Sequence, residues 1–367
     1  MGQRESPVAD LVRPSRAFWS GKRVLVLGHT GFKGVWLSLY LRKLGAEVSG
    51  LSLAAEPPSL FVETGLDRLV TSRHADIRDL DRVQDIVREL RPEVIFHLAA
   101  QALVLRSYKD PIETYATNVM GTVHVLAAAC AVSSVRALVV VTSDKCYENR
   151  EWFWAYREDE PMGGSDPYSS SKACAELVTT AWRSSYAHSD GSIGIASARA
   201  GNVIGGGDWA PDRLVPDCMK ALAAGEAIAI RNPASTRPWQ HVLDALSGYI
   251  VLAERLVRER KAFGEGWNFG PVDEDVQQVA WIADRIVGAW GEGARWAHVG
   301  SGAFHEKLAL KVDASKARAR LGWRPLLRLE QALSWTVDWY KQHLEGSPAL
   351  VLTEKQIDDY SKLGATP

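Results

Sequence analysis

Several features that would narrow the class of this 367-residue chain at once are scarce or missing. It has four cysteines, Cys130, Cys146, Cys174 and Cys218, with neither the paired spacing of a zinc site nor the density of a disulfide framework. They read as reduced thiols of a cytoplasmic protein. The nine histidines form no HxxxH-type pair, which argues against a resident metal. No apolar run reaches the roughly 18 residues of a membrane span, and the N-terminal residues lack a signal-peptide core. A net charge of -1 gives no basic face for nucleic acid or a membrane surface. Internal repeats and low-complexity tracts are also absent.

What is present is an ordinary globular composition, 46% apolar and 24% charged. From Arg23 onward strands and helices alternate. RVLVLG, AEVSGLSL, EVIFHLAA, ALVVVTS and IGIASARAG read as short buried strands. Helices are expected over Val35–Leu44, Asp79–Leu90, from about Ile112 to Cys130, and over Ser169–Tyr186. This rhythm predicts an α/β fold, a doubly wound parallel (Rossmann) sheet with ligands at the carboxyl ends of its strands. After Asn202 the rhythm breaks into Gly- and Pro-rich connections, as in GGGDWAPD and RNPASTRPWQ. The expected organisation is an arm over residues 1–20, docking through Phe18 and Trp19, and a dinucleotide-binding domain over 21–200. A smaller α/β region over 201–345, mainly substrate-binding, and a tail over 346–367 follow. Most of the fourteen tryptophans read as core, although Trp152, Trp154, Trp209 and Trp239 lie near polar motifs where a ligand cleft would form.

The segment GHTGFKG sets Gly28, Gly31 and Gly34 between the first strand and first helix. Glycines there let the backbone approach a pyrophosphate, which rests on the positive end of the helix. Thr30, Phe32 and Lys33 belong to the same loop. The second strand ends in Leu51-Ser52-Leu53, with no carboxylate for the adenosine ribose. Lys33 with Ser52 would suit a 2'-phosphate; otherwise Lys33 is simply solvated. Asp76, followed by Ile77, is placed to meet the adenine amino group, and Leu98, Ala99 and Ala100 follow the fourth strand beside the cofactor. NAD is favoured, with NADP as the alternative. The GxxGxxG spacing resembles the extended short-chain dehydrogenase/reductases.

Tyr168 and Lys172 are four apart and so share one helical face, at the start of the helix after the strand that ends in Thr142-Ser143. A nearby ammonium stabilises a phenolate, which can take a proton from a sugar hydroxyl held by Ser143. Asp144 and Lys145, next in the chain, add an acid and an amine. Together these motifs, TSDKCYEN, EWFWAYRE, DPYSSSKACAE, GNVIGGGDWA and RPWQHVLD, resemble the nucleotide-sugar 4,6-dehydratases from about Phe18 to Trp339. Within that family they look most like the branch acting on CDP-glucose.

The resemblance implies Ser143, Tyr168 and Lys172 as the redox triad and Asp144 with Lys145 as the pair that eliminates water. It also implies Asn202 and Arg237 as contacts to the substrate nucleotide. Arg237 suits a pyrophosphate through paired hydrogen bonds but equally a structural salt bridge, and Asn202 equally a turn. Gln101 is placed to touch substrate or ribose, Asn118 to brace the sheet, and His97 to pack in its strand. Arg213 and Lys220 read as phosphate neighbours or as a solvated face. Lys145 departs from the glutamate that the dTDP-glucose and GDP-mannose enzymes carry there. An amine serves as the base at sugar carbon 5 only if its pKa falls well below about 10.4. Otherwise it positions the sugar, and Tyr168 or a water takes the proton. Asp144 would have to be protonated to donate to the departing hydroxyl. The rival readings are a 4-epimerase, which needs no adjacent acid and amine, and a non-catalytic NAD(P)-binding regulator. By analogy, the helices from Ile112 and Ser169 would pair two subunits into a homodimer.

Overall fold

The apolar runs become strands because nearly every residue in them is buried on one face or the other. The computed structural model describes residues 11–187, 193–291, 293–300 and 309–363. In it β1 (Arg23–Leu27), β2 (Glu47–Ser52), β3 (Thr71–His74), β4 (Val94–His97), β5 (Ala137–Val141) and β6 (Gly194–Ala200) are mutually parallel, in the order β6-β5-β4-β1-β2-β3. The order reverses at β1 and β4, and at that switch point a crevice opens at the carboxyl ends of the strands.

Strand alternation divides the apolar side chains between two cores. Val24, Val26, Phe96, Val139 and Val141 face the helices Phe32–Lys43 and Val242–Arg258. Leu25, Leu27, Ile95, Leu138 and Val140 face the helices Leu80–Leu90 and Gly121–Cys130, with Val178 and Trp182 of the helix Pro167–Ser185. Each of these fully buried side chains contributes about 1.5–3 kcal/mol. The α/β doubly wound sheet is therefore as expected.

Helix ends follow their caps. The first helix begins at Phe32, behind Gly31, rather than at Val35. The helix bearing Tyr168 begins at Pro167 because Asp166 accepts from the Ser169 N–H and proline suits the first turn. The helix expected from Ile112 to Cys130 instead starts at Pro111 and passes through a π turn at Ala116–Met120 before Gly121. That extra residue per turn carries Asn118 inward.

The second half adds β7 (Asn202–Ile204), β8 (Ile228–Ile230), β9 (Thr236–His241), β10 (Gly266–Phe269), β11 (Val276–Gln278) and β12 (Trp296–His298). β11, β9 and β7 form a mixed three-stranded sheet, and β12 pairs with β8. β10 returns to pair in parallel with β6, making the large sheet seven-stranded. Residues after 200 thus supply one strand and one covering helix to the first sheet as well as the small sheets.

Before β1, Trp19 ends a short helix, Arg16–Trp19, and is fully buried, its indole donating to Glu254 Oε1 at 2.7 Å. Phe18 lies half-buried beside Arg258 and Lys22. Trp36, Trp267, Trp323 and Trp339 are also fully buried, whereas Trp154 is exposed, its ring tilted against Trp152 with centroids 4.8 Å apart.

Candidate active site

The turn after β1 is shaped by two contacts that only glycine permits. Gly28 has a φ of 86°, and a Cβ there would lie 2.7 Å from the Ala99 nitrogen. A Cβ on Gly34 would overlap the Gly28 carbonyl. Gly31 precedes the helix without a side-chain cap, so the first-turn N–H groups face the crevice as an anion site. Leu98 donates to the Leu27 carbonyl, which sets Ala99 and Ala100 against the same turn. This cradle fits the pyrophosphate of a dinucleotide.

The adenosine end differs from expectation. Ser52 is bonded to Thr30, hydroxyl to hydroxyl at 2.7 Å, and Thr30 also reaches the Leu53 carbonyl. The Lys33 amine lies among Arg213, Lys172, Asp144 and Asp208, and burial with the first two cations lowers its pKa to about 8. Lys33 and Ser52 therefore do not meet. Asp76 is held by Arg78 through its backbone and guanidinium, which keeps its carboxyl below the usual range. Ile77 is buried against Gly121, with its carbonyl bonded to His124. His29, not singled out from the sequence, packs over Gly50 and bonds Ser72 at 2.7 Å.

At the end of β5 the expected cluster assembles. Ser143, Asp144, Tyr168 and Lys172 are all buried, and Lys145 is half-buried beside them. The Ser143 hydroxyl donates to Asp144 Oδ1 at 3.0 Å and accepts from the Lys145 N–H at 3.2 Å. The Tyr168 phenol lies beside it. Burial raises the Asp144 carboxyl above its ordinary range, against the pull of Lys145, the Ser143 bond, Arg237 and Lys33. Asp144 Oδ2 has no hydrogen-bond partner among the described residues. Gly201 leaves room for it: a Cβ there would lie 2.9 Å from that oxygen and 2.6 Å from Pro238.

The redox pair departs from the simplest reading. In the chain by itself, burial pushes the Tyr168 phenol up to about 12, against the nearby Ser143 hydroxyl and Arg213. Burial also brings the Lys172 amine down to about 8, against Glu176, and among the described residues it donates to the Val141 carbonyl at 3.5 Å. The amine does not by itself carry the phenol toward neutrality.

Among the expected substrate contacts, Arg237 on β9 is buried and acts on Asp144 through space, while Asn202 opens β7, half-buried. Gln101 is turned inward: its amide bonds Leu103 through both its oxygen and its nitrogen, and also Thr114. Asn118 clamps the Gln101 backbone and Ser171. His97 bonds Thr122 within the core, where burial lowers it to about 3. Of the two cations left open as phosphate neighbours, Arg213 is held by Asp208 at 2.9 Å beside Tyr168 and Lys33, whereas Lys220 is bonded to the Trp209 carbonyl.

One feature beneath the site was missed. Glu176, one helical turn beyond Lys172, pairs with Arg199 of β6 at 2.8 Å, both almost fully buried. The available signal was an arginine inside the apolar strand GIASARA and a glutamate four residues after the lysine on an inward helix face.

Residues 25–336 match the family described as GDP-mannose 4,6 dehydratase, and the chain belongs to it. A nucleotide-sugar dehydratase of the short-chain dehydrogenase/reductase fold is the class that sheet and site define. Within it, the chain is 52% identical over 348 residues to a protein of Salmonella typhimurium named CDP-glucose 4,6-dehydratase, covering 94% of this chain and 97% of that one. A dTDP-glucose 4,6-dehydratase structure from Streptomyces venezuelae, with NAD bound, is 25% identical with a TM-score of 0.73, covering 89% and 99% of the two chains. One from Bacillus anthracis, also with NAD, is 22% identical with a TM-score of 0.74, covering 90% and 100%, and bears on the fold alone.

Proposed function

We propose that the chain converts CDP-glucose to CDP-4-keto-6-deoxyglucose by eliminating water, with NAD as a bound cofactor. The observation that carries this reading is the position of Ser143 between two groups: its hydroxyl bonds Asp144 and lies beside the Tyr168 phenol. A 4-epimerase needs a serine beside the tyrosine and has no task for the bonded acid. The CDP-sugar branch rests on the 52% identity to the Salmonella protein.

With its pyrophosphate at the Gly28–Gly34 turn, the nicotinamide of a bound NAD would supply the hydride acceptor for carbon 4 and the donor for carbon 6. Its positive ring would also supply the charge that draws the phenol down from about 12. Ser143 orients the sugar hydroxyl, Tyr168 takes its proton, and Lys172 supports the phenolate. The ketone at carbon 4 acidifies carbon 5, where the half-buried Lys145 amine takes the proton. Asp144, whose carboxyl burial raises above its ordinary range, is the group placed to donate to the hydroxyl leaving carbon 6. Arg237, beside Asp144, and Asn202 hold the nucleotide diphosphate.

NAD rather than NADP is supported by the Thr30–Ser52 bond and by Lys33 lying toward Asp144 and Asp208, away from a 2'-phosphate position. Exposed Ile112, Tyr115, Met120 and Leu177 on the two long helices support a homodimer. The four free thiols suit the cytoplasm, and among the described residues no helix is long and apolar enough to cross a membrane.

The test is incubation of the purified chain with CDP-glucose, dTDP-glucose and GDP-mannose. CDP-glucose should lose the mass of one water without net reduction of added NAD. A product of unchanged mass would identify an epimerase, and no product from any of the three would reject the reading.

A further inference from the structure

Below the redox pair and the elimination pair lies one polar hub in an otherwise apolar layer. The Glu176 carboxylate accepts from the Thr142 hydroxyl at 2.5 Å, the Ser197 hydroxyl at 2.6 Å and Arg199 Nη2 at 2.8 Å. Thr142 directly precedes Ser143, and Glu176 stands one turn after Lys172 on the helix that also carries Tyr168. Arg199 Nη1 donates to the Tyr147 hydroxyl at 2.7 Å and to the Glu158 carbonyl at 3.1 Å. The Tyr147 hydroxyl in turn donates to Asn268 Oδ1 at 2.7 Å. Tyr147 lies two residues after Lys145, at the end of the turn that holds Asp144 and Lys145.

We infer that the Glu176–Arg199 couple is a positioning device that registers the two halves of the site against each other. Glu176 fixes the helix bearing Tyr168 and Lys172 on the end of β5. Arg199 fixes the turn bearing Asp144 and Lys145 on β6. The carboxylate and guanidinium neutralise each other, so the hub adds rigid, charge-assisted bonds without adding net charge beneath the reacting groups. Neither residue touches substrate; each acts through a neighbour. Displacement by about 1 Å of a group held this way costs on the order of 100-fold in rate, so a second layer matters even where no atom of it reacts.

The arrangement makes a divided expectation, resting on the dehydratase reading. Thr142→Val removes one bond on the Glu176 side, and Tyr147→Phe removes the Arg199 bond together with that to Asn268; both keep the ion pair. With CDP-glucose deuterated at carbon 4 or at carbon 5, each variant should lose roughly tenfold in kcat, with KM within about twofold of the parent. Thr142→Val should enlarge the isotope effect at carbon 4 and leave that at carbon 5 unchanged. Tyr147→Phe should do the reverse, and Thr142→Ser should restore the parent behaviour. If Tyr147→Phe fails to fold, Arg199→Lys, which keeps the charge facing Glu176 and loses the arm to Tyr147, takes its place. Equal losses with both isotope effects unmoved, or losses matched by the unfolded fraction, overturn the inference while the active parent upholds the functional reading. A parent inert toward CDP-glucose overturns both.

Discussion

Two buried carboxylates, on either side of the β5 end, meet opposite fates. Glu176 has every oxygen engaged, and Arg199 with two hydroxyls outweighs burial to hold its carboxyl below the ordinary range. Asp144 has one oxygen bonded by Ser143 and the other without a partner among the described residues, and burial raises it. Both are almost inaccessible, so burial alone does not distinguish them. The difference is completeness of pairing: a saturated carboxylate is an anchor, and an unsaturated one keeps a proton and an oxygen for another molecule.

The largest effect expected from breaking this contrast is on catalysis. Asp144→Asn should lower dehydration of CDP-glucose by about 10²–10⁴-fold, with little change in melting temperature, because the amide retains the Ser143 bond but has no acidic proton. In the parent, activity should fall as pH rises through the raised Asp144 pKa, and rate measurements across pH check the sign. Glu176→Gln should cost stability as well as rate. It leaves the Arg199 guanidinium buried without its counter-charge, and urea unfolding should report a loss of about 3–5 kcal/mol.

A third carboxylate sharpens the comparison with the smallest effect. Asp244 accepts from the Leu326 N–H and the Tyr360 hydroxyl, yet burial raises its pKa to about 7. It is thus bonded but not neutralised by a cation. The folded chain binds more protons than the unfolded chain between the ordinary carboxylate value of 3.8 and about 7. Its contribution to stability should therefore be complete below that window and decline as pH rises through it, by a few kcal/mol at most. Asp244→Asn should flatten that decline in melting temperature measured from pH 4 to pH 7.

How much of this was legible depended on the range of the signal. The order of strands and helices up to β6 follows local alternation and punctuation, and the Gly28–Gly34 turn follows from spacing between two clear elements. That Tyr168, Lys172 and Ser143 cluster at the end of β5 was legible because helix spacing and strand position are both local. Gln101 and Asp76 look, in sequence, like groups free for a ligand. Their partners are Leu103, Thr114 and Arg78, and nothing in a linear pattern says that a nearby donor will take them first. Lys33 read in sequence as a partner of Ser52 or as a solvated side chain, whereas its buried amine lies among Arg213, Lys172, Asp144 and Asp208. Arg199 was hidden because its partner lies on another element and the pair exists only after the helix docks.

The return of β10 to β6 has a consequence for how the molecule is made. The large sheet gains its last strand only after residues 201–265 have been laid down, and Val242–Arg258 covers β5 and β6 from within that stretch. Until then β6 ends the sheet with an open row of backbone donors and acceptors. High contact order of this kind slows folding, because chain closure over a long loop comes before its contacts are gained. The end of β5 that carries the candidate site and the hub on β6 therefore become rigid late in synthesis.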